Sequence, residues 1–203
     1  MTATNISLYL ASGSQIRRAL LEESGLSFYT KPVDLDEEAV KEKCMAAGFS
    51  LAETALELAR RKALLAAHYS PAGSYIIGAD QILDLDGEIF SKPRNMKEAR
   101  DHLIKLRGKT HFLHTAVVLY QGKKKIWEHI EKPKLKMRRF TDNFLDTYLD
   151  VEKEKILSSV GAYRLEGPGI QLFSSIEGHY DSILGLPRMG LFEVLRKEKI
   201  LIS

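Results

Sequence analysis

The stretch Leu8-Tyr-Leu-Ala-Ser-Gly-Ser-Gln-Ile-Arg-Arg-Ala-Leu-Leu21 constrains the fold of this chain more than any other. A short apolar run passes through two serines into a segment of helical periodicity, the pattern of a buried strand turning directly into a helix. Ser14 is placed to cap the orphan N–H groups of the first turn, Ile16 and Leu20 repeat at helical spacing, and Gly25 is a stop signal. Arg17 and Arg18 then fall near the positive end of the helix dipole, where each cation costs roughly 0.3–1 kcal/mol. Two readings follow. Hydroxyls, backbone N–H groups and guanidinium groups converge on an anion such as an oligophosphate, or the helix is a capped surface helix with solvated arginines.

The length of 203 residues allows one substantial core, or two small lobes sharing one, and a single domain over 1–203 is expected. A formal net charge of +3 is too small to suggest nucleic acid as a partner, but it is compatible with a local site for a small anion. Cys44 is the single cysteine, so no intrachain disulfide forms, as suits a reducing compartment. No segment approaches the roughly 20 apolar residues needed to span a bilayer, and the first residues lack a signal-peptide pattern. A cytoplasmic protein without membrane partners is expected. The six histidines show no His-x-x-x-His spacing, which argues against a histidine metal site.

Along the chain, Pro32-Val-Asp-Leu-Asp-Glu-Glu38 reads as an acidic connection into a weakly patterned helix around Ala39–Ala47. Leu51–His68 is the clearest helix, and Lys62 falls on its apolar stripe beside Leu58 and Leu65. A lysine there either snorkels out to water or pairs with an anion, because an unpaired buried ammonium is costly. Ser74–Ala79 reads as a buried strand with Asp80 and Gln81 at its carboxyl end, where ligands gather in α/β sheets. Alternation on either side of Asp86-Gly87 predicts a hairpin, and Ser91-Lys92-Pro93 closes it.

A helix is expected over Met96–Leu106, then a long hairpin of Thr110–Tyr120 with Trp127–Phe140, then a capped helix over Thr141–Leu149. Lys123–Lys125 is read as its solvated turn, and Trp127 as core or interface. Glycine-punctuated runs lead to a last helix near Met189–Arg196. The order of elements gives a mixed α/β fold rather than a regular βαβ series.

Taken together, Leu10-Ala-Ser-Gly-Ser14 with Arg17, Asp34-Leu-Asp-Glu37, Leu58-Ala-Arg-Arg-Lys-Ala63, Gly78-Ala-Asp80, Lys92-Pro93, Gly161-Ala-Tyr163 and Gly185-Leu-Pro187 resemble the Maf family of nucleoside triphosphate pyrophosphatases. The resemblance runs from about Leu8 to Leu195. It implies an elongated mixed β-sheet flanked by helices, with two lobes around a central nucleotide cleft, similar in fold to inosine triphosphate pyrophosphatases. It also implies hydrolysis of a nucleoside triphosphate between the α- and β-phosphates, a divalent cation (Mg²⁺ or Mn²⁺), removal of modified nucleotides, an association with cell-division arrest, and a possible homodimer.

On this resemblance Ser12, Ser14, Arg17, Lys62 and Lys92 bind the triphosphate, Glu37 and Asp80 ligate the metal, and Asp80 is the general base. A carboxylate bound to a dication loses basicity, so ligand and base remain alternative roles for Asp80.

Ile16 stands where many members have arginine, and Arg18 is expected to substitute or to lie exposed. Gln81 follows Asp80 where many members have threonine, and Glu166 replaces a glutamine. Both resemble the subgroup acting on 7-methyl-GTP, which makes Gln81 and Glu166 candidate substrate-binding residues. A carboxylate accepts two donors from a guanine edge, whereas an amide suits a pyrimidine; the other reading of Glu166 is a surface glutamate. The alternatives are a dTTP/UTP or broad-range pyrophosphatase, or a nucleotide-binding cell-division regulator with little catalysis.

Overall fold

A computed structural model describes residues 7–202. Eight strands form one mixed sheet: β1 (Leu8–Leu10), β2 (Tyr29–Thr30), β3 (Tyr75–Leu85), β4 (Glu88–Phe90), β5 (Thr110–Gln121), β6 (Lys124–Glu131), β7 (Lys134–Met137) and β8 (Phe173–Glu177). The order is β2-β1-β3-β5-β7-β8, with β4 on β3 and β6 on β5. Seven α-helices accompany it among the described residues: α1 (Gln15–Glu23), α2 (Glu37–Ala46), α3 (Leu51–His68), α4 (Met96–Leu106), α5 (Asp142–Glu152), α6 (Tyr180–Ile183) and α7 (Arg188–Lys197). The chain divides into two compact units, the first made of residues 7–81, 115–131 and 179–202, the second of 82–114 and 132–178.

In the first unit β1 lies parallel to both β2 and β3, pairing Tyr9 with Tyr29 and Ile76. The alternation of β3 then assigns its two faces. Ile77 and Ala79 join a core with Leu20 and Leu21 of α1 and Leu191, Val194 and Leu195 of α7. Gly78 faces α3 so closely that an added Cβ would lie 2.2 Å from the Ala59 carbonyl oxygen and 2.9 Å from the Ala63 Cβ. The small residues Ala55, Ala59, Ala63 and Ala66 line the buried stripe of α3 and permit that approach. A capping box of Ser50 with Glu53 starts the helix. Trp127 packs against the same core and against Gly190, where an added Cβ would meet its ring at 2.9 Å.

In the second unit the β3–β4 hairpin pairs Leu85 with Glu88 across Asp86-Gly87, both at positive φ (54° and 89°), as a two-residue I′ turn requires. His111, fully buried, lies 2.9 Å from the Tyr163 hydroxyl, and both rings contact Phe173.

The structure corrects three expectations. β3 does not end at Ala79 but continues through Asp80 to Leu85, so Asp80 lies within a strand. The expected strand over Trp127–Phe140 breaks at Pro133, which has no N–H for a ladder, giving β6 and β7. β8, unforeseen among the glycines, pairs Leu135 with Ile176 on β7.

Candidate functional site

The first helix is capped as its sequence suggests: Ser14 is extended, and its Oγ accepts the Arg17 N–H at 3.4 Å. Ser12 Oγ accepts both the Ser14 N–H at 3.2 Å and Arg17 Nη1 at 3.4 Å. Arg17 is directed inward by two backbone carbonyls, donating from Nε to Gly185 at 2.7 Å and from Nη1 to Ala79 at 3.0 Å. Gly185 has φ +99°, and an added Cβ would lie 3.2 Å from Arg17 Nε. A side chain there would be strained and would press on the guanidinium.

Two residues beyond Gly78 on β3, Asp80 shares the face turned to α3. Lys62, just past Ala59 on that helix, places Nζ 2.5 Å from Asp80 Oδ1 and 2.6 Å from Glu37 Oε1. Glu37 opens α2 behind the N-cap Asp36. Lys62 and Asp80 are buried, while the Glu37 side chain is 43% exposed. Lys62 therefore pairs with anions instead of snorkelling. Burial pushes the Asp80 carboxyl up, against the opposing pull of Lys62 and Arg17, and Glu37 pushes it the same way. Burial also lowers the Arg17 guanidinium, although Asp80 and Glu37 favour its charge. The group remains cationic at neutral pH.

Gln81 turns to the other face of β3. Its amide nitrogen lies 2.8 Å from Thr115 Oγ1, 3.0 Å from the Ser182 carbonyl and 3.1 Å from the Ile183 carbonyl. Arg18 is not part of this cluster. Its exposed guanidinium pairs with Glu22 at 2.7 Å, one turn further along α1 and away from the place expected of a replacement for the arginine absent at Ile16.

The structure thus gathers Ser12, Ser14, Arg17, Glu37, Lys62, Asp80 and Gln81 within the first unit. Lys92 and Glu166 belong to the second unit. Lys92 is exposed after β4. Glu166 accepts Arg164 Nε at 2.9 Å, and the same arginine donates from Nη1 to the buried Glu152 at 3.1 Å.

Several participants carry no signal in the sequence because they act through the backbone. The carbonyls of Ala79 and Gly185 are the firmest examples; the motifs Gly78-Ala-Asp80 and Gly185-Leu-Pro187 contain them, but residue type does not mark either carbonyl as an acceptor for Arg17. Thr115, Ser182 and Glu131 also escape the sequence reading. Ser182 Oγ donates to Glu131 Oε2 at 2.7 Å, and His179 Nδ1 lies 3.0 Å from the same oxygen.

Among the described residues, no group of three or more His, Cys, Asp or Glu is disposed to hold a metal ion, and no helix is long and apolar enough to cross a membrane. Two carboxylates, Glu37 and Asp80, converge on the ammonium of Lys62. Two hard carboxylates fit a Mg²⁺-like ion that takes its remaining ligands from water and phosphate.

The Maf-like protein family model matches residues 7–198. A nucleoside triphosphate pyrophosphatase of Gluconobacter oxydans (strain 621H) is 54% identical over 203 residues, covering 100% of each chain. One of Granulibacter bethesdensis is 46% identical over 194 residues, 96% of this chain and 98% of that one. A 7-methyl-GTP pyrophosphatase of Rhizobium meliloti (strain 1021) is 44% identical over 190 residues, 94% of this chain and 95% of that one.

Proposed function

We propose that this chain, which belongs to the Maf-like protein family, hydrolyses a nucleoside triphosphate to the nucleoside monophosphate and pyrophosphate. The observation that carries this reading is the cluster of Arg17, Lys62, Asp80 and Glu37, in which two cations and two carboxylates, Lys62 and Asp80 among them buried, stand beside the mouth of a helix. Such a cluster is poised to exchange its internal ion pairs for phosphate oxygens.

Arg17, held rigid by two carbonyls, offers its guanidinium N–H groups to a phosphate. Lys62 is a mobile point charge that can turn from the carboxylates to a phosphate oxygen. Ser12 and Ser14 add hydroxyls at the same helix mouth. Glu37 and Asp80 would hold a divalent cation, which when bound supplies positive charge that offsets the phosphate oxygens.

In the reaction the oxygen of water forms a bond to phosphorus, the bridging bond between the α- and β-phosphates breaks, and the bridging oxygen leaves with its electron pair as pyrophosphate. Where the cation is held by Glu37 and Asp80 is left as the base, the proton lost by water goes to Asp80 Oδ and then to solvent; where Asp80 is itself the metal ligand, the proton passes directly to solvent. Burial suits Asp80 to the role of base because it raises the affinity of the carboxylate for a proton. Most of the catalysis comes from positioning and charge neutralisation, since phosphoryl transfer asks little covalent chemistry of the protein.

Asp80→Asn is expected to fold normally and to lose at least about 100-fold in turnover, the lower end of the usual contribution of a general base. Near-wild-type pyrophosphate release by this variant would sink the assignment. The finer reading is a preference for 7-methyl-GTP, supported by the name of the Rhizobium meliloti relative and by the acceptor-only carboxylate of Glu166. Its Arg164 partner takes one of roughly four lone-pair positions on that carboxylate. A panel of 7-methyl-GTP, GTP, dTTP and UTP scored by pyrophosphate release, repeated on Glu166→Gln, tests it; dominant dTTP hydrolysis by the unmodified protein would refute it.

A further inference from the structure

Glu166 sits in a turn whose backbone and neighbours are fixed. The Gly167 N–H donates to the Arg164 carbonyl at 3.3 Å, closing residues 164–167 into a turn, and Leu165 within it is buried. The backbone of Arg164 is itself packed, since a Cβ added at Gly169 would lie 2.4 Å from its carbonyl oxygen and 2.8 Å from its nitrogen. Its side chain reaches the end of α5, where Nη1 donates to Glu152 Oε2 at 3.1 Å. Glu152 is buried, and its Oε1 would lie 2.9 Å from a Cβ added at Gly167. The turn therefore packs against the carboxylate that anchors the arginine.

The Nε of this anchored guanidinium donates to Glu166 Oε1 at 2.9 Å. Oε2 accepts no hydrogen bond from the described residues, and the side chain is 27% exposed, so that side of the carboxylate is open to a ligand. A guanidinium has N–H groups and no acceptor, so the atom that faces Arg164 must be an oxygen, whether glutamate or glutamine stands at 166. With glutamate the outward atom is the second oxygen, an acceptor. With glutamine the amide oxygen would take the bond to Arg164 and the NH₂ would point outward, a donor. Turned the other way, NH₂ would oppose N–H and the bond to the cation would be lost.

We infer that Arg164 is a positioning residue that sets the hydrogen-bonding polarity of position 166: it holds Glu166 with an acceptor presented to the base, matched to the N1–H and N2–H₂ donors of a guanine and not to a pyrimidine carbonyl. This rests on the reading of Glu166 as the residue that meets the base.

The test is Glu166→Gln with and without Arg164, on the full chain. Arg164→Met alone would leave Glu152 buried and unpaired, so the arginine is removed together with its anchor, as Glu152→Met with Arg164→Met. The readouts are the ratio of GTP to UTP in kcat/KM and the ratio of GMP to UMP affinity by calorimetry. With Arg164 present, Glu166→Gln is expected to shift both ratios toward uracil by at least about tenfold, the scale of one matched edge to a base. Without it the amide can turn its oxygen to guanine, and the shift is expected to be at least about threefold smaller, because contacting residues are not additive. Arg164→Lys keeps Glu152 paired with a point charge but lacks the fork, and it is expected to reduce the shift likewise, which keeps the test decisive if the methionine pair fails to fold.

A purely structural role for Arg164 would lower activity on both triphosphates equally and leave the Glu166→Gln shift intact. An equal shift with and without Arg164 would thus overturn the inference and leave Glu166 as the residue that meets the base. No shift in the presence of Arg164 would remove that reading and the inference with it. A protein that selects between GMP and UMP yet releases pyrophosphate from no triphosphate would remove the catalytic reading alone, and the affinity ratios would decide this one.

Discussion

Lys62 between Asp80 and Glu37 in the first unit, and Arg164 between Glu152 and Glu166 in the second, carry the same formal charges in different states of balance. Arg164 gives separate N–H groups of a planar fork to its two partners. Burial lowers its proton affinity, but Glu166 and Glu152 outweigh that and hold it above the usual arginine range. Lys62 is a point charge shared at 2.5 and 2.6 Å, and burial still raises Asp80 despite both Lys62 and Arg17. One cluster is electrostatically settled. The other retains a desolvation of Asp80 that its own cations do not offset.

The strongest way to break this contrast is to remove the lysine. Lys62→Met keeps the length of the side chain and leaves Asp80 buried without its nearest partner, so a loss of about 3 kcal/mol in stability at neutral pH is expected. The sign with pH follows from the raised folded-state pKa. The cost is full once Asp80 is ionised, and it shrinks as pH falls through the folded value toward the ordinary one. Urea midpoints of variant and wild type at pH 7.5 and 5 should converge on acidification; a gap that widens would show that the buried charge is not the cause.

His111 sharpens the comparison from the second unit, where it is a fully buried group held neutral. Burial pushes its imidazole down to about 4, and Nδ1 has no partner to favour the cation. A depressed folded value means that the native state resists protonation, so stability is lost as pH falls from about 6.5 toward 4. The full loss is roughly 3 kcal/mol, at about 1.4 kcal/mol for each pH unit between the ordinary and the folded value. His111→Gln, less stable at pH 7.5 through its lost contact with Tyr163, should show a flatter slope of unfolding free energy between pH 6.5 and 5 than wild type. An unchanged slope would assign the acid sensitivity to other groups.

The same two regions explain what is legible in the sequence. Local chemistry is readable: the Ser14 cap, the Asp86-Gly87 turn and the anomaly of Lys62 on an apolar stripe all depend on neighbours a few residues away. Asp80 within a strand is not, because a charged residue tends to end a buried run unless a cation arrives, and Lys62 reaches it from 18 residues away on another element. Arg17 reads as a phosphate ligand, but its acceptors, Ala79 and Gly185, are carbonyls 62 and 168 residues distant and leave no mark in residue type. The surroundings of Gln81 are hidden for a related reason. The alternation of β3 puts it on the face opposite Asp80, where its amide nitrogen meets Thr115 and the Ser182 carbonyl, 34 and 101 residues further along the chain.

The smallest effect separates the outer arm of the Arg164 cluster from its buried one. Glu166→Gln replaces the charged acceptor of Arg164 Nε with an amide oxygen, at a pair whose side chains are 26% and 27% exposed. Solvent screens such a pair, and Glu152, 3% exposed, continues to neutralise the guanidinium, so the loss in stability should stay below about 1 kcal/mol. Thermal unfolding at low and high salt measures it: a small difference that vanishes in salt is expected of a screened pair. A loss comparable to that of Lys62→Met would mean that Arg164 depends on both carboxylates equally, and the contrast between a settled cluster and a poised one would fail.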